Sequence, residues 1–248
     1  MNFSSRFWLY APISVFLMIA VAVMAYWKVT AAAFEKKLAA IKGREAVPGI
    51  VLDWDGVSVG GFPFRIDADF TNFSIHGAGA RGPFVWKARQ FALHRLTYGR
   101  PTIVYEAAGP QHLEWSNAGG AHRADFLPAT LRGSSMMGAH GLARFDVDMV
   151  DAGGTGFTAQ RLQFHLRRDP DGHSLDLMVK GDNVAAGGGQ RNMQVYATLT
   201  RAAPLARLLD GTAFWPDAVT AWHQGGGAAK IAQGINADAA AAALSALY

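Results

Sequence analysis

Three stretches of the chain and its scattered histidines carry residue types that do chemistry elsewhere, and each lacks a part that the chemistry requires. Gly77-Ala78-Gly79-Ala80-Arg81-Gly82 has the G-x-G-x-x-G spacing of a dinucleotide site. A pyrophosphate needs the free amides and dipole of a helix N-terminus after that loop. Here Pro83-Phe84-Val85-Trp86 follows and reads as a strand, so the glycines are expected to make a hairpin loop. Asp146, Asp148 and Asp151 resemble the start of a calcium loop, but Val150 takes the third ligand position, and the glycine and distal glutamate are missing. They read as solvated carboxylates on a polar strand face. Gly133-Ser134-Ser135-Met136-Met137 fails as a nucleophile elbow because Met137 stands where glycine is needed. The eight histidines, at 76, 94, 112, 122, 140, 165, 173 and 223, show no H-E-x-x-H and no close ligand pair. The absence of cysteine removes thiolate chemistry, disulfides and Cys-based zinc sites. No catalytic residue, metal ligand or cofactor is expected, and a hydrolytic enzyme is the least favoured class.

The most distinctive segment is Gly60-Gly61-Phe62-Pro63-Phe64-Arg65. As plain structure it starts a strand: glycines turn the chain, and Pro63 sits where no ladder donor is needed. As a binding element it puts Phe62, Phe64, Phe70 and the nearby Trp86 in an apolar groove with Arg65 at its rim.

The elements that would hold such a groove follow from the hydrophobic pattern. Phe7 to Trp27 contains no charged residue. These 21 residues give a helix of roughly 31 Å, against a hydrocarbon core of about 30 Å. Arg6 and Lys28 bracket the run, and Trp8, Tyr10, Tyr26 and Trp27 stand at its ends, where aromatic rings favour a membrane interface. Residues 1–28 therefore read as a tail and transmembrane anchor. A cleaved signal peptide is the rival, but its apolar region is normally only about 7–15 residues. Phe34, Leu38 and Ile41 continue the helical spacing, so 29–47 reads as a stalk with one apolar stripe, ended by Pro48-Gly49. Flanking charge does not decide orientation. Lys28, Lys36, Lys37, Lys42 and Arg44 outnumber Arg6 and favour a cytoplasmic bulk. A short basic tail before an apolar segment also begins exported proteins.

From residue 48 the period changes to two. Phe62, Phe64, Ile66, Ala68 and Phe70 alternate with polar residues, and the phase slips to Phe73 and Ile75, as at a bulge. Ala143 to Met149, Leu162 to Leu166, Leu175 to Val179 and Met193 to Leu199 alternate likewise, with Asp169-Pro170-Asp171-Gly172 as a turn. Further strands are expected over 50–59, 84–98 and 101–107, and a short helix over Pro204 to Leu209. Low charge (17%) and 28 glycines agree with strands and turns. The fold class is mainly β: an N-terminal transmembrane helix and stalk, then a curved antiparallel meander over 48–236 and an alanine-rich tail over 237–248. An apolar sheet face must be covered, and helices are scarce. The sheet must curl on itself, pack as a sandwich or hold an apolar ligand. Basic residues are scattered, and the net charge is only +4, so no nucleic-acid partner is indicated.

The order of these features resembles the alphaproteobacterial envelope proteins grouped as domain of unknown function family 2125. The likeness rests on the anchor and stalk, Gly-Gly-Phe-Pro-Phe-Arg at 60–65 and Gly141-Leu142-Ala143-Arg144. It is completed by the run from Phe157 to Arg167 before the Asp-Pro-Asp-Gly turn. The resemblance implies a protein of the bacterial inner membrane with its bulk in the periplasm, and assigns no catalytic residues. It also implies further strands after Trp222 to Gly227, so the alanine-rich tail suggests a shortened C-terminal part. A weaker likeness to AsmA-like envelope proteins implies a curved sheet holding lipid. The expected partners are the bilayer through 7–27, a lipid or other apolar ligand in the groove, and an envelope protein. The competing reading is a non-catalytic envelope scaffold.

Overall fold

The structure is a computed structural model, described over residues 5–79, 82–99, 102–139, 141–185 and 189–235. The described chain begins with one helix, α1 (Ser5–Ile41), of 37 residues, or roughly 56 Å. Its portion from Tyr10 is long and apolar enough to cross a membrane. Pro12 lies inside it, a position that membrane helices tolerate better than soluble ones. The stalk stripe forms as its spacing predicts: Ala31 and Leu38 are buried, and Phe34 and Ile41 pack beside Leu38. The helix ends earlier than the stalk expected from sequence. Gly43 takes a positive φ of 65°, and residues 44–47 form a strand instead.

That strand, β1 (Arg44–Val47), opens a 13-stranded antiparallel sheet. It is followed by β2 (Ile50–Asp53), β3 (Gly56–Gly60), β4 (Arg65–Gly79), β5 (Gly82–Leu96) and β6 (Thr102–Asn117). Next come β7 (Gly120–Leu127), β8 (Thr130–Gly138), β9 (Gly141–Gly154), β10 (Phe157–Arg168), β11 (Ser174–Val184) and β12 (Arg191–Thr200). Two helices intervene, α2 (Ala203–Leu209) and α3 (Trp215–Gln224), before β13 (Ala229–Ile235). Neighbours in the sheet are mostly neighbours in the chain; β7 and β8 share the place between β6 and β9.

Register sorts the two faces. Phe70 opposes Phe91, which opposes Ala107, which opposes Leu131, which opposes Met149, which opposes Leu162. The apolar row then continues through Phe164, Val179 and Val195. The other face carries cross-strand polar pairs. Arg132 meets Glu106 at 3.1 Å, Arg161 meets Asp148 at 2.7 Å, and Thr198 donates to Asp176 at 2.7 Å. Pairs this exposed each add at most about 1 kcal/mol. They set which face is wet more than they hold the sheet.

A line of irregular backbone crosses the sheet at right angles to the strands. Asn72, Asp151 and Asn183 all have φ near 50°, and Gly109 has φ 77°. Asn, Asp and Gly are the residues that enter this left-handed region most readily. The phase slip read at 70–73 is part of this line. The β4–β5 register is unbroken on both sides of Asn72, and the register shift falls on the next pair, between Ala88 and Gln90 against β6. The same line passes the break between β7 and β8. At its far end Asn183 Nδ2 donates to Gln160 at 2.7 Å, and the Asn183 amide donates to Asn192 at 2.8 Å. Such irregularities bend a strand and increase its twist.

Two clusters cover the apolar face at its ends. On β4, Leu38 of α1 joins Trp54, Ala68, Phe70 and Phe73, with Trp54 edge-on to Phe70 at 5.1 Å. On β11–β12, the α2–α3 hairpin lays Leu205, Ala218 and Trp222 over Leu175 and Leu199. The hairpin also reaches back across the sheet. Trp215 meets Phe84 of β5 edge-on at 6.1 Å, and the Phe214 ring lies against Gly49 between β1 and β2. Arg168 pairs with Asp210 at 2.6 Å, fixing the α2–α3 connection to β10. The sheet therefore curls, with its late helices bridging to its first strands. The alanine-rich tail of 237–248 lies outside the described residues.

Candidate apolar binding site

Between the two covered ends the apolar face is open. A hollow of about 420 Å³ lies over β4, β5, β6, β8 and β9, within the roughly 300–1,000 Å³ of small-molecule sites. Its lining includes Ile75, Trp86, Phe91, Tyr105, Ala107, Leu131, Gly133, Phe145 and Val147. The cause is local. Ala107 and Gly133 are small residues set among large ones, with Gly133 opposite both Tyr105 and Val147. A row that elsewhere carries larger side chains is thinned here to a methyl at Ala107 and a hydrogen at Gly133. Phe73 and Phe91 stack at 4.3 Å and Phe91 and Tyr105 at 6.1 Å, making a stiff aromatic wall.

One polar group enters this wall. The Tyr105 hydroxyl is 2.8 Å from Ser135 Oγ. Burial pushes the Tyr105 phenol above its ordinary 10.0, while the Ser135 hydrogen bond pulls it down. The group stays neutral at any physiological pH, so the hollow presents no charge from Tyr105 to an apolar guest. Ser135 of the Gly-Ser-Ser-Met-Met stretch is thus a hydrogen-bond partner, and Ser134 donates to Asp146 at 3.3 Å on the other face.

The remaining chemistry-bearing residues lie on the polar face or at turns. Asp146 accepts from His165 Nδ1 at 2.6 Å and from Arg144 at 2.5 Å. Burial raises the Asp146 carboxyl, but those two partners more than offset it and hold it below its ordinary 3.8. Asp125 is held low by Arg123 first and then His112. Asp151 sits in the irregular line with φ 48°. Gly79 and Gly82 close the β4–β5 hairpin, the loop expected of the G-x-G-x-x-G stretch, though Ala80 and Arg81 lie outside the described residues. His140 also lies outside them. Among the described residues, no group of three His, Asp or Glu side chains is placed to hold a metal ion.

The five residues suggested for a groove fall in two places. Trp86 lines the hollow, and Phe70 is buried beside it in the cluster under α1. Phe62, Phe64 and Arg65 lie at the far end of β4, beside Trp27 of the helix. Tyr105, Ala107, Leu131, Gly133, Phe145 and Val147 escaped the sequence reading as a group. Each lies in an alternating stretch, but only the strand register brings them together.

No curated protein and no solved structure matches the chain. A family model described as "Uncharacterized protein conserved in bacteria (DUF2125)" matches residues 27–246, and the chain belongs to that family.

Proposed function

We propose that this protein is an inner-membrane-anchored periplasmic module whose curled sheet holds a lipid or similar hydrophobic ligand, without catalysing a reaction. The observation that carries the reading is the open hollow between two covered ends of one continuous apolar face. A sheet face this apolar gains by being covered. At about 25 cal/mol per Å², an acyl chain seated on it is favoured on both sides of the contact. The anchor keeps the hollow next to a source of such chains. The periplasmic placement is supported by the resemblance to envelope proteins drawn from the sequence and by the basic N-terminal tail, against the flanking-charge count. A C-terminal reporter active only in the periplasm tests it.

The ligand reading is tested with membranes carrying a photoactivatable acyl chain. Adducts on the β6 and β8–β9 peptides are expected in the wild type, and their loss in Ala107→Phe, which fills the hollow. Adducts confined to α1 in the wild type would defeat the proposal. The scaffold reading gains only if a stoichiometric envelope protein crosslinks to the polar face or to an edge strand, β1 or β13, by strand addition.

A further inference from the structure

We infer that the Phe62–Arg65 turn and the adjacent Leu96–Tyr98 segment form a second membrane contact, an aromatic tip that enters the same leaflet from which α1 emerges. This rests on the proposed anchoring of α1. The charge-free run ends at Trp27, and Lys28 follows, so the membrane surface lies at that level. Trp27 Nε1 donates to the Arg65 carbonyl at 2.7 Å, and its ring meets Phe62 edge-on at 5.6 Å. The start of β4 is therefore held at the depth of the interface, while Leu38, eleven residues further along α1, packs on the sheet roughly 16 Å higher.

What is held there is apolar and uncovered. Phe62 is 50% exposed, Phe64 57%, Tyr98 61% and Leu96 45%. Among the described residues, Phe62, Phe64 and Tyr98 are the only large aromatic side chains outside α1 that stand so exposed. They form one patch: Phe64 meets Tyr98 edge-on at 6.1 Å, Leu96 opposes Arg65 in register, and Thr97 donates twice to the Phe64 carbonyl, both at 3.0 Å. In water this patch costs hydrophobic free energy with no return. At an interface, Tyr and Trp rings with a polar edge and Phe rings without one are at their preferred depth. Arg65 stands beside the rings with its guanidinium still half open to solvent, anchored to Asp67 at 2.8 Å. It is placed at the level of lipid headgroups. The occupant is the bilayer, since the patch is continuous with a helix whose charge-free run ends at that level.

With two contacts the domain cannot swing about α1, and the open hollow keeps a constant tilt to the membrane. The test uses the full chain, whose lack of cysteine allows single labels. Phe64→Cys, Tyr98→Cys, Met18→Cys and Ala121→Cys variants are each labelled with an environment-sensitive fluorophore. They are then reconstituted in phosphatidylethanolamine–phosphatidylglycerol vesicles. Labels at 64 and 98 are expected to be blue-shifted and quenched more by lipid-borne spin labels than by a water-soluble quencher, with the order reversed at 121. If position 18 is lipid-quenched while 64 and 98 behave like 121, the tip is overturned and the anchor stands. If 18 is water-quenched, the anchor itself fails. Circular dichroism of each variant confirms that the sheet is intact.

Discussion

Trp222 is the residue on which the α2–α3 hairpin depends, and its replacement gives a graded test of the fold. It is 3% exposed, contacts the β11–β12 cluster, and donates from Nε1 to the Thr200 carbonyl at 2.8 Å. The fit is close: a Cβ added at Gly227 would lie 2.0 Å from Nε1. Trp222→Ala removes the whole ring from a site with no space to collapse around it, at about 3–5 kcal/mol. For a domain of this size each kcal/mol lowers Tm by about 2–4 °C, so the expected loss is about 6–20 °C. Trp222→Phe keeps most of the buried surface and loses the hydrogen bond, at about 1 kcal/mol and some packing. It should fall between the wild type and the alanine variant. Differential scanning fluorimetry of the detergent-solubilised chain measures both. A shift below about 2 °C for Trp222→Ala would refute the reasoning. It would mean that the hairpin is not part of the cooperative unit and does not cover the far end of the apolar face.

Two further outcomes follow from single sites. The Asp146 carboxyl is held below its ordinary value, so its contribution is fully present above the unfolded carboxylate pKa and is lost as pH falls through the folded one. Asp146→Asn should cost about 1–2 kcal/mol near neutral pH and flatten the acid loss of stability below about pH 4, measured by denaturant titration across pH. Gly61 has φ 95°, and a Cβ there would lie 2.8 Å from Asp67 Oδ2 and 2.9 Å from the Arg65 carbonyl. Gly61→Ala should cost about 1–3 kcal/mol and free the Phe62–Arg65 turn to limited proteolysis. Gly60→Ala, with nothing within 4 Å of its added carbon, should do neither.

The sequence made α1 and the alternating strands legible because both are local patterns. Twenty-one residues without charge need no partner to be recognised, and Phe145, Val147 and Met149 announce a two-residue period by themselves. The stalk stripe of Phe34, Leu38 and Ile41 was legible for the same reason. Helix α3 was not. It is short, Pro216 opens it, and it forms because Ala218 and Trp222 find Leu175 and Leu199 across the chain. The phase slip at Asn72 could be read on β4, yet its counterparts at Gly109, Asp151 and Asn183 are single residues whose alignment exists only once the strands pair. The hollow was hidden for a related reason. It is made by what Ala107 and Gly133 lack, and small residues signal nothing until their neighbours in register are known. Phe62 and Phe64 look like groove residues by composition, and only the fold sets them apart from the hollow, with Phe62 against Trp27 of α1.

The chain order of the sheet has a consequence for how the protein is made. Nearly every strand pairs with the one just before it, so most contacts join residues close in sequence, and closing each hairpin costs little loop entropy. A β-protein of this size ordinarily folds slowly because its pairings are distant. Here each strand, on emerging, finds its template already in place, beginning at α1. Only the α2–α3 hairpin, reaching back to Gly49 and Phe84, must wait for almost the whole chain. That contact is the last to close, and an incomplete chain would display an unfinished edge and an uncovered face for quality-control proteases to grip.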